Sequence, residues 1–220
     1  NRLLIQTLHD PLSGTITNVS IRKLKTFSNN NHGEIYSGRG LQFDGTTDYL
    51  TVPKCSASQP TDHFTLATWV LLNSSGSWHT IYGSTYAWGE AFWCAFDSSL
   101  NMSFDANEVI AYGDVRTSGS AIRLSTWNRA VWTFSRTGST SLTVRMYLNG
   151  DLIKEITEAD GLHENIQAIT IDPYDMSIGA VRQLTDPQYY LDGRLSDFQL
   201  WHKEWTQDEV NYDYLNPESL

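Results

Sequence analysis

Cysteine is scarce in this chain. Two residues in 220, Cys55 and Cys94, are too few for the disulfide framework that holds small secreted scaffolds together. Cys94 lies within the aromatic run Phe92–Phe96 and reads as a buried free thiol rather than as the partner of Cys55. The redox compartment therefore stays open. Charge is also sparse, at 18% of residues, against 40% hydrophobic residues. That composition excludes a disordered chain and a coiled coil. The charge present is lopsided: 25 acidic and 15 basic residues leave a net −10. Such a surface opposes non-specific binding to nucleic acid and to anionic membranes, keeps a domain soluble, and leaves room for cations. No apolar run approaches the ~20 residues needed to span a bilayer. The opening residues, Asn1 to Thr7, have no initiator Met, no sustained apolar core and no cleavage site. They read as the start of an excised domain or a processed product, not as a signal peptide.

The common catalytic patterns are missing as well. There is no Gly-x-Ser-x-Gly elbow, and neither cysteine has an activating local setting. His9, His32, His63, His79, His163 and His202 are scattered, with no His-x-x-x-His or Cys-x-x-Cys, which argues against zinc. No Gly-rich phosphate loop occurs. Basic residues do not cluster among the aromatics, so a nucleic-acid surface is not expected.

Aromatics are what the chain does have: 8 Trp, 11 Tyr and 8 Phe. Strand-like runs recur between turn signals at Ser28–Gly33, Asp44-Gly45, Asn73–Gly76, Arg136–Thr140, Asn149-Gly150 and Asp192-Gly193. The clearest hairpin joins Val144–Leu148 to Asp151–Ile156, because both Asn149 and Gly150 can take the positive φ of a type I′ turn. Near the C-terminus, strict alternation would put Leu195, Asp197, Gln199 and Trp201 on one face. Ser196, Phe198, Leu200 and His202 would take the other. A short helix comes directly after, since Thr206 and Glu209 have capping-box spacing. No 3.6-residue apolar stripe precedes Thr206. Many short strands with such turns predict an all-β, two-sheet antiparallel sandwich. Residues 1–39 contain strand pieces, Leu3–Leu8 and Val19–Leu24, broken at Asp10-Pro11. They form an N-terminal segment that packs on the sandwich edge or continues a preceding domain; residues 40–220 form the main domain.

Six segments in order carry a resemblance. They are Gly40–Pro53 (GLQFDGTTDYLTVP), Phe64–Val70 (FTLATWV), Trp127–Phe134 (WNRAVWTF), Tyr147–Ile153 (YLNGDLI), Met176–Ala180 (MSIGA) and the strand that starts after Gly193. Together they resemble the laminin-G-like jelly roll of the concanavalin A-like superfamily. The resemblance covers residues 40 to 215 and implies a jelly roll closed by pairing of its first and last matched strands. It places Trp69, Trp127, Trp132 and Trp201 in the core.

Some relatives in that superfamily are glycosidases, which need paired carboxyl groups ~5–5.5 Å apart for a retaining mechanism. The nearest approach here, Glu158-Ala-Asp160-Gly-Leu-His163-Glu164, has His in place of the second Glu and reads as an acidic loop. A glycosidase or lyase is accordingly the least favoured reading. Those glycosidases also commonly hold a structural calcium, and by that resemblance Asp197 and the Gly45 carbonyl would be ligands. Hard oxygens of this kind suit the ion. The alternative is that Asp197 only hydrogen-bonds its surroundings and Asp44 serves a β-turn.

For ligand binding, the segment Ser77–Gly89 stands out. It crowds Trp78, Tyr82, Tyr86 and Trp88 among small residues, and exposed aromatic planes stack on the apolar faces of sugars. Arg182, Tyr189 and Tyr190 form a second aromatic loop with a polar handle. Core packing is the competing account of each of these aromatics. The favoured function is a non-catalytic binding module, for carbohydrate, on an extracellular or particle surface. The alternative is a structural or adhesion module of a virion appendage or multidomain surface protein, with protein partners in a larger assembly.

Overall fold

The computed structural model describes residues 40–53, 61–84, 92–106, 115–119, 122–137, 141–157, 175–183 and 186–217. Residues 1–39, Cys55, Tyr86, Trp88 and the Glu158–Glu164 segment lie outside the described residues. In chain order the strands are β1 (Leu41–Asp44), β2 (Leu50–Val52), β3 (His63–Leu72), β4 (His79–Ser84), β5 (Phe92–Phe96), β6 (Met102–Ala106) and β7 (Val115–Arg116). They continue with β8 (Asn128–Arg136), β9 (Leu142–Leu148), β10 (Asp151–Thr157), β11 (Met176–Ile178), β12 (Val181–Gln183), β13 (Asp186–Gln188) and β14 (Asp192–Trp201). One helix, α1 (Gln207–Leu215), comes last.

Among the described residues the strands make two six-stranded antiparallel sheets. The first has the order β1-β14-β3-β8-β9-β10 and the second β2-β11-β4-β5-β6-β7. A small ribbon pairs β12 with β13. This is the jelly-roll sandwich expected, with one short C-terminal helix, and β1 pairs with β14 as the closing contact. Alternation decides what each strand contributes to the space between the sheets. From the first sheet come Phe64, Leu66, Ala130, Trp132, Phe134, Val144 and Met146; from the second come Ile81, Cys94, Phe96, Met102 and Phe104. The two layers interlock through Phe64, Phe104 and Phe134, with ring centroids 5.3 to 6.1 Å apart. Trp132 also donates its indole N–H across to the Ser103 carbonyl at 3.0 Å.

β3 reads as a nearly continuous apolar run because it is covered on both faces. Its outer side, with that of β8 and β9, lies under α1 and the preceding turn. There Ala67, Val131, Tyr147, Trp205 and Val210 form a second, smaller core. The capping box is present: the Glu209 N–H donates to the Thr206 hydroxyl, and the Thr206 N–H donates to the Glu209 carboxylate. The hairpin turn is also as expected, with φ of 53° at Asn149 and 90° at Gly150. Cys94 is a buried free thiol, and burial pushes its pKa up.

Three expectations are corrected. The alternation of β14 breaks at a bulge between Ser196 and Gln199, where Asp197 has φ of 48°. A bulge inserts one unpaired residue and so reverses the phase of the residues beyond it. Leu195 therefore faces the core, and so do Phe198 and Leu200 past the bulge. Trp201 is thrown to the outside and is 43% exposed rather than buried. Trp127 is half-buried, while Trp69 and Trp132 are core residues as expected. Asp192-Gly193 is not a turn; it is the start of β14.

Candidate functional site

The outer face of the second sheet carries an aromatic cluster. On β5 the side chains of Cys94 and Phe96 enter the core, so Trp93, out of phase with both, faces outward. Trp93 is half-buried, and its indole N–H donates to the Thr80 hydroxyl at 3.0 Å, which fixes the ring on the sheet. Trp78, just before β4, stacks on it at 4.6 Å and 27°. Tyr189, just after β13, stacks from another side at 5.1 Å and 29°. Trp78 and Tyr189 are themselves 6.2 Å apart at 56°. That angle matches the two smaller ones taken together, so the three planes turn in one sense, like an open fan.

Two devices hold the fan. The Tyr189 carbonyl accepts from the Thr80 N–H at 3.0 Å, pinning the loop to β4. Tyr189 is also held at φ of 55°, a conformation unusual for a bulky residue and found where surrounding structure imposes it. Tyr189 as a whole is 43% exposed. The guanidinium of Arg116 lies 4.7 Å over the Trp78 ring. Arg116 is itself anchored by Asp97 at 3.7 Å. Burial raises the Asp97 pKa, but hydrogen bonds from Asn101 and Ser99, with the Arg116 charge, outweigh it and hold the carboxyl below its usual value.

Of the expected residues, the structure joins Trp78 to Tyr189. Tyr190 sits beside them, its ring 6.4 Å from that of Tyr49. The backbone of Arg182 is paired opposite Pro187 in the β12–β13 ribbon that leads into Tyr189. Tyr82 is core, 1% exposed. Trp93 and Arg116 were missed. Trp93 was legible, since it alternates with Cys94 and Phe96; Arg116 was not, because nothing local ties it to Trp78.

His79 lies directly beneath. It is buried, its Nδ1 accepting from the Asp192 N–H at 3.2 Å and its Nε2 facing the Ser74 carbonyl at 3.1 Å. This arrangement requires the neutral ring. Burial lowers the pKa below 6.5, against opposite pulls from the Ser74 carbonyl, the Asp192 charge and the Tyr190 backbone. The folded state thus binds fewer protons than the unfolded chain just below pH 6.5, so this stability is intact above that pH and is lost as pH falls through the window. Urea midpoints should drop between pH 7 and pH 5 for the native chain, before carboxylates titrate. A His79→Gln variant should show a much flatter profile over the same range; an equally steep one would assign the drop to other groups.

The residues suggested for calcium do not fit the ion. Gly45 packs against Asp192, whereas Asp197 lies five residues further along β14, roughly 16 Å away at ~3.3 Å per residue. The Asp197 carboxylate is 3.0 Å from the Arg129 guanidinium and accepts from Gln199 at 2.9 Å. Asp44 is consumed by its turn, accepting from the Thr47 hydroxyl and from the N–H groups of Thr47, Thr46 and Asp48. Those bonds hold its pKa well below the usual carboxylate range. Among the described residues no group of three His, Cys, Asp or Glu is placed to hold a metal.

Several solved structures share this fold. A carbohydrate-binding module of a Ruminococcus gnavus sialidase, bound to α2,6-sialyllactose, superposes with a TM-score of 0.61 at 11% identity, over 78% of this chain and 96% of that one. A heptameric SAP-like pentraxin from Limulus polyphemus gives 0.57 at 18% identity, over 79% and 80%. A variant of a Streptococcus pneumoniae sialidase gives 0.57 at 16%, over 78% of this chain but 27% of that one. No curated protein sequence matches. A family profile described as the concanavalin A-like lectin/glucanases superfamily matches residues 44–211. Spanning well over half of its length, that match makes the chain a member of the concanavalin A-like lectin/glucanase superfamily.

Proposed function

We propose that the chain is a non-catalytic glycan-binding module whose site is the Trp78–Trp93–Tyr189 fan. The observation that carries this reading is the fan itself: three rings fixed on an outer sheet face, one of them held exposed by a disfavoured backbone conformation. Stacking of the half-buried Trp78 and Trp93 steadies the cluster, and the more exposed Tyr189 leaves an aromatic edge of the kind on which sugar C–H faces stack. Arg116 at the border supplies the polar contact that orients a bound sugar and suits an acidic one. The sialyllactose held by a module of the same fold supports this direction, although at 11% identity the fold is all that the likeness carries. Display of glycans implies an extracellular or particle surface.

Tyr189→Gly separates binding from folding. The change removes the exposed ring and relieves the positive φ, which glycine adopts freely. On a glycan array the native chain should bind a subset of glycans. The variant should bind them about tenfold or more weakly, a loss of ~1.4 kcal/mol or more, with its melting midpoint nearly unchanged. A variant that binds like the native chain removes the fan from the site. Absence of binding by the native chain to any glycan sinks the reading in favour of a protein-contact module, and release of free sugar would restore an enzyme.

A further inference from the structure

On the opposite side of the molecule, the turn between β14 and α1 encloses a groove of about 340 Å³. That is the lower end of the ligand-pocket range, room for one head group or side chain. Its floor is Trp205, 6% exposed. The floor is pinned because the Trp205 N–H donates to the Thr65 hydroxyl at 2.9 Å, and that hydroxyl donates to the Lys203 carbonyl at 2.7 Å. One wall is Trp201, the residue that the β14 bulge turns outward. Its indole N–H is satisfied by the Gln199 side chain at 2.8 Å, which sets the ring at 52° to Trp205 with centroids 5.8 Å apart. Tyr212, 58% exposed, is the other wall.

Charge decides what such a groove takes. Lys203 is bonded to Glu209, and Asp213 to Arg129. That leaves Asp208 on the lining as a carboxylate without a partner among the described residues. We propose that this groove binds the side chain of a lysine presented by a partner protein. The aliphatic stem lies along Trp201 and Tyr212. The ammonium meets the ring faces and the Asp208 carboxylate, an arrangement favourable to a cation and indifferent to a neutral group. The net −10 of the chain favours approach of a basic partner. A phosphate or sulfate would meet two carboxylates at the rim and only a lysine that Glu209 already neutralises.

The test is a titration of the intact chain with N-acetyl-lysine methylamide, following the indole N–H resonances of Trp201 and Trp205. The neutral norleucine and the acetyl-lysine analogues serve as controls. Saturable shifts are expected with the lysine derivative, at least about tenfold weaker ones with the neutral analogues, and loss of that preference in Asp208→Asn. Tenfold is ~1.4 kcal/mol, within the reach of one ammonium on aromatic faces beside a carboxylate. Asp208 is exposed on the first turn of α1, so the variant should fold, and its unshifted resonances outside the groove would confirm it. Equal response to lysine and norleucine would make this an apolar groove only. Saturation by methyl glycosides instead would make it a sugar site, and no saturation by lysine would overturn the proposal outright.

Discussion

Arg129→Ala should destabilise the fold by about 3–5 kcal/mol, the cost of leaving a buried charge without its partner. Arg129 is fully buried on the outer face of β8. Its Nε and Nη2 donate to the two carboxylate oxygens of Asp213 at 2.7 and 2.8 Å, a bidentate pair. Its Nη1 donates to the Asp197 carbonyl at 3.0 Å. One side chain thus ties α1 to the sheet and holds the bulge of β14. Removing it strands Asp213, which is 3% exposed. Urea unfolding should show the loss, with faster amide exchange along α1 before the rest of the domain. Replacing the pair together, as Arg129→Met with Asp213→Leu, should recover much of the stability, because a packed apolar pair avoids the desolvation of both charges. A single variant within about 1 kcal/mol of the native chain would mean that the pair is as weak as a surface ion pair.

Gly193→Ala should be more damaging still. A Cβ at Gly193 would sit 2.1 Å from the Leu71 carbonyl oxygen and 3.2 Å from the Leu72 Cα, both backbone atoms of the neighbouring strand. β14 is held on its other side by β1, so it cannot slide away without opening one ladder. Ordinary overpacking costs about 1–3 kcal/mol; here the rigid partner should push the loss past that range and leave little folded protein. Gly76→Ala is the control. Gly76 has the positive φ that Gly193 lacks, 89°, and among the described residues nothing lies within 4 Å of its missing Cβ. It should lose only the ~1–2 kcal/mol of left-handed strain. A Gly193→Ala loss no larger than that of Gly76→Ala would mean that the neighbouring strand yields and that the close backbone approach costs little. Chain entropy is no alternative source of the loss, since Gly→Ala lowers the entropy of the unfolded chain and so cannot itself destabilise.

Features decided by near neighbours were legible in the residues. Asn149-Gly150 made its hairpin, and Thr206 with Glu209 capped the helix, because each uses groups within three or four positions. Asp197 shows where that legibility ends. Its backbone is turned by an arginine 68 positions away, and the bulge it forms reverses every assignment after it. The expected core position of Trp201 failed for that reason alone. Asp192-Gly193 looked like a turn because glycine permits one. Here glycine instead answers to a backbone approach that only the paired strand defines. In the aromatic site, Trp78 and Tyr189 stood out by crowding, yet they are 111 positions apart, and Trp93 is what brings them together.

The fan and the groove look in opposite directions. One lies on the outer face of the second sheet and the other beyond the first, with the Phe64–Phe104–Phe134 layer between them. A molecule seated on either side casts no steric shadow on the other. If both sites bind as proposed, the domain is a coupler with two ports rather than an end-cap. Tethered through one port, it would keep the other free, and strength of attachment would then grow with the number and spacing of linked copies, without any enlargement of either contact.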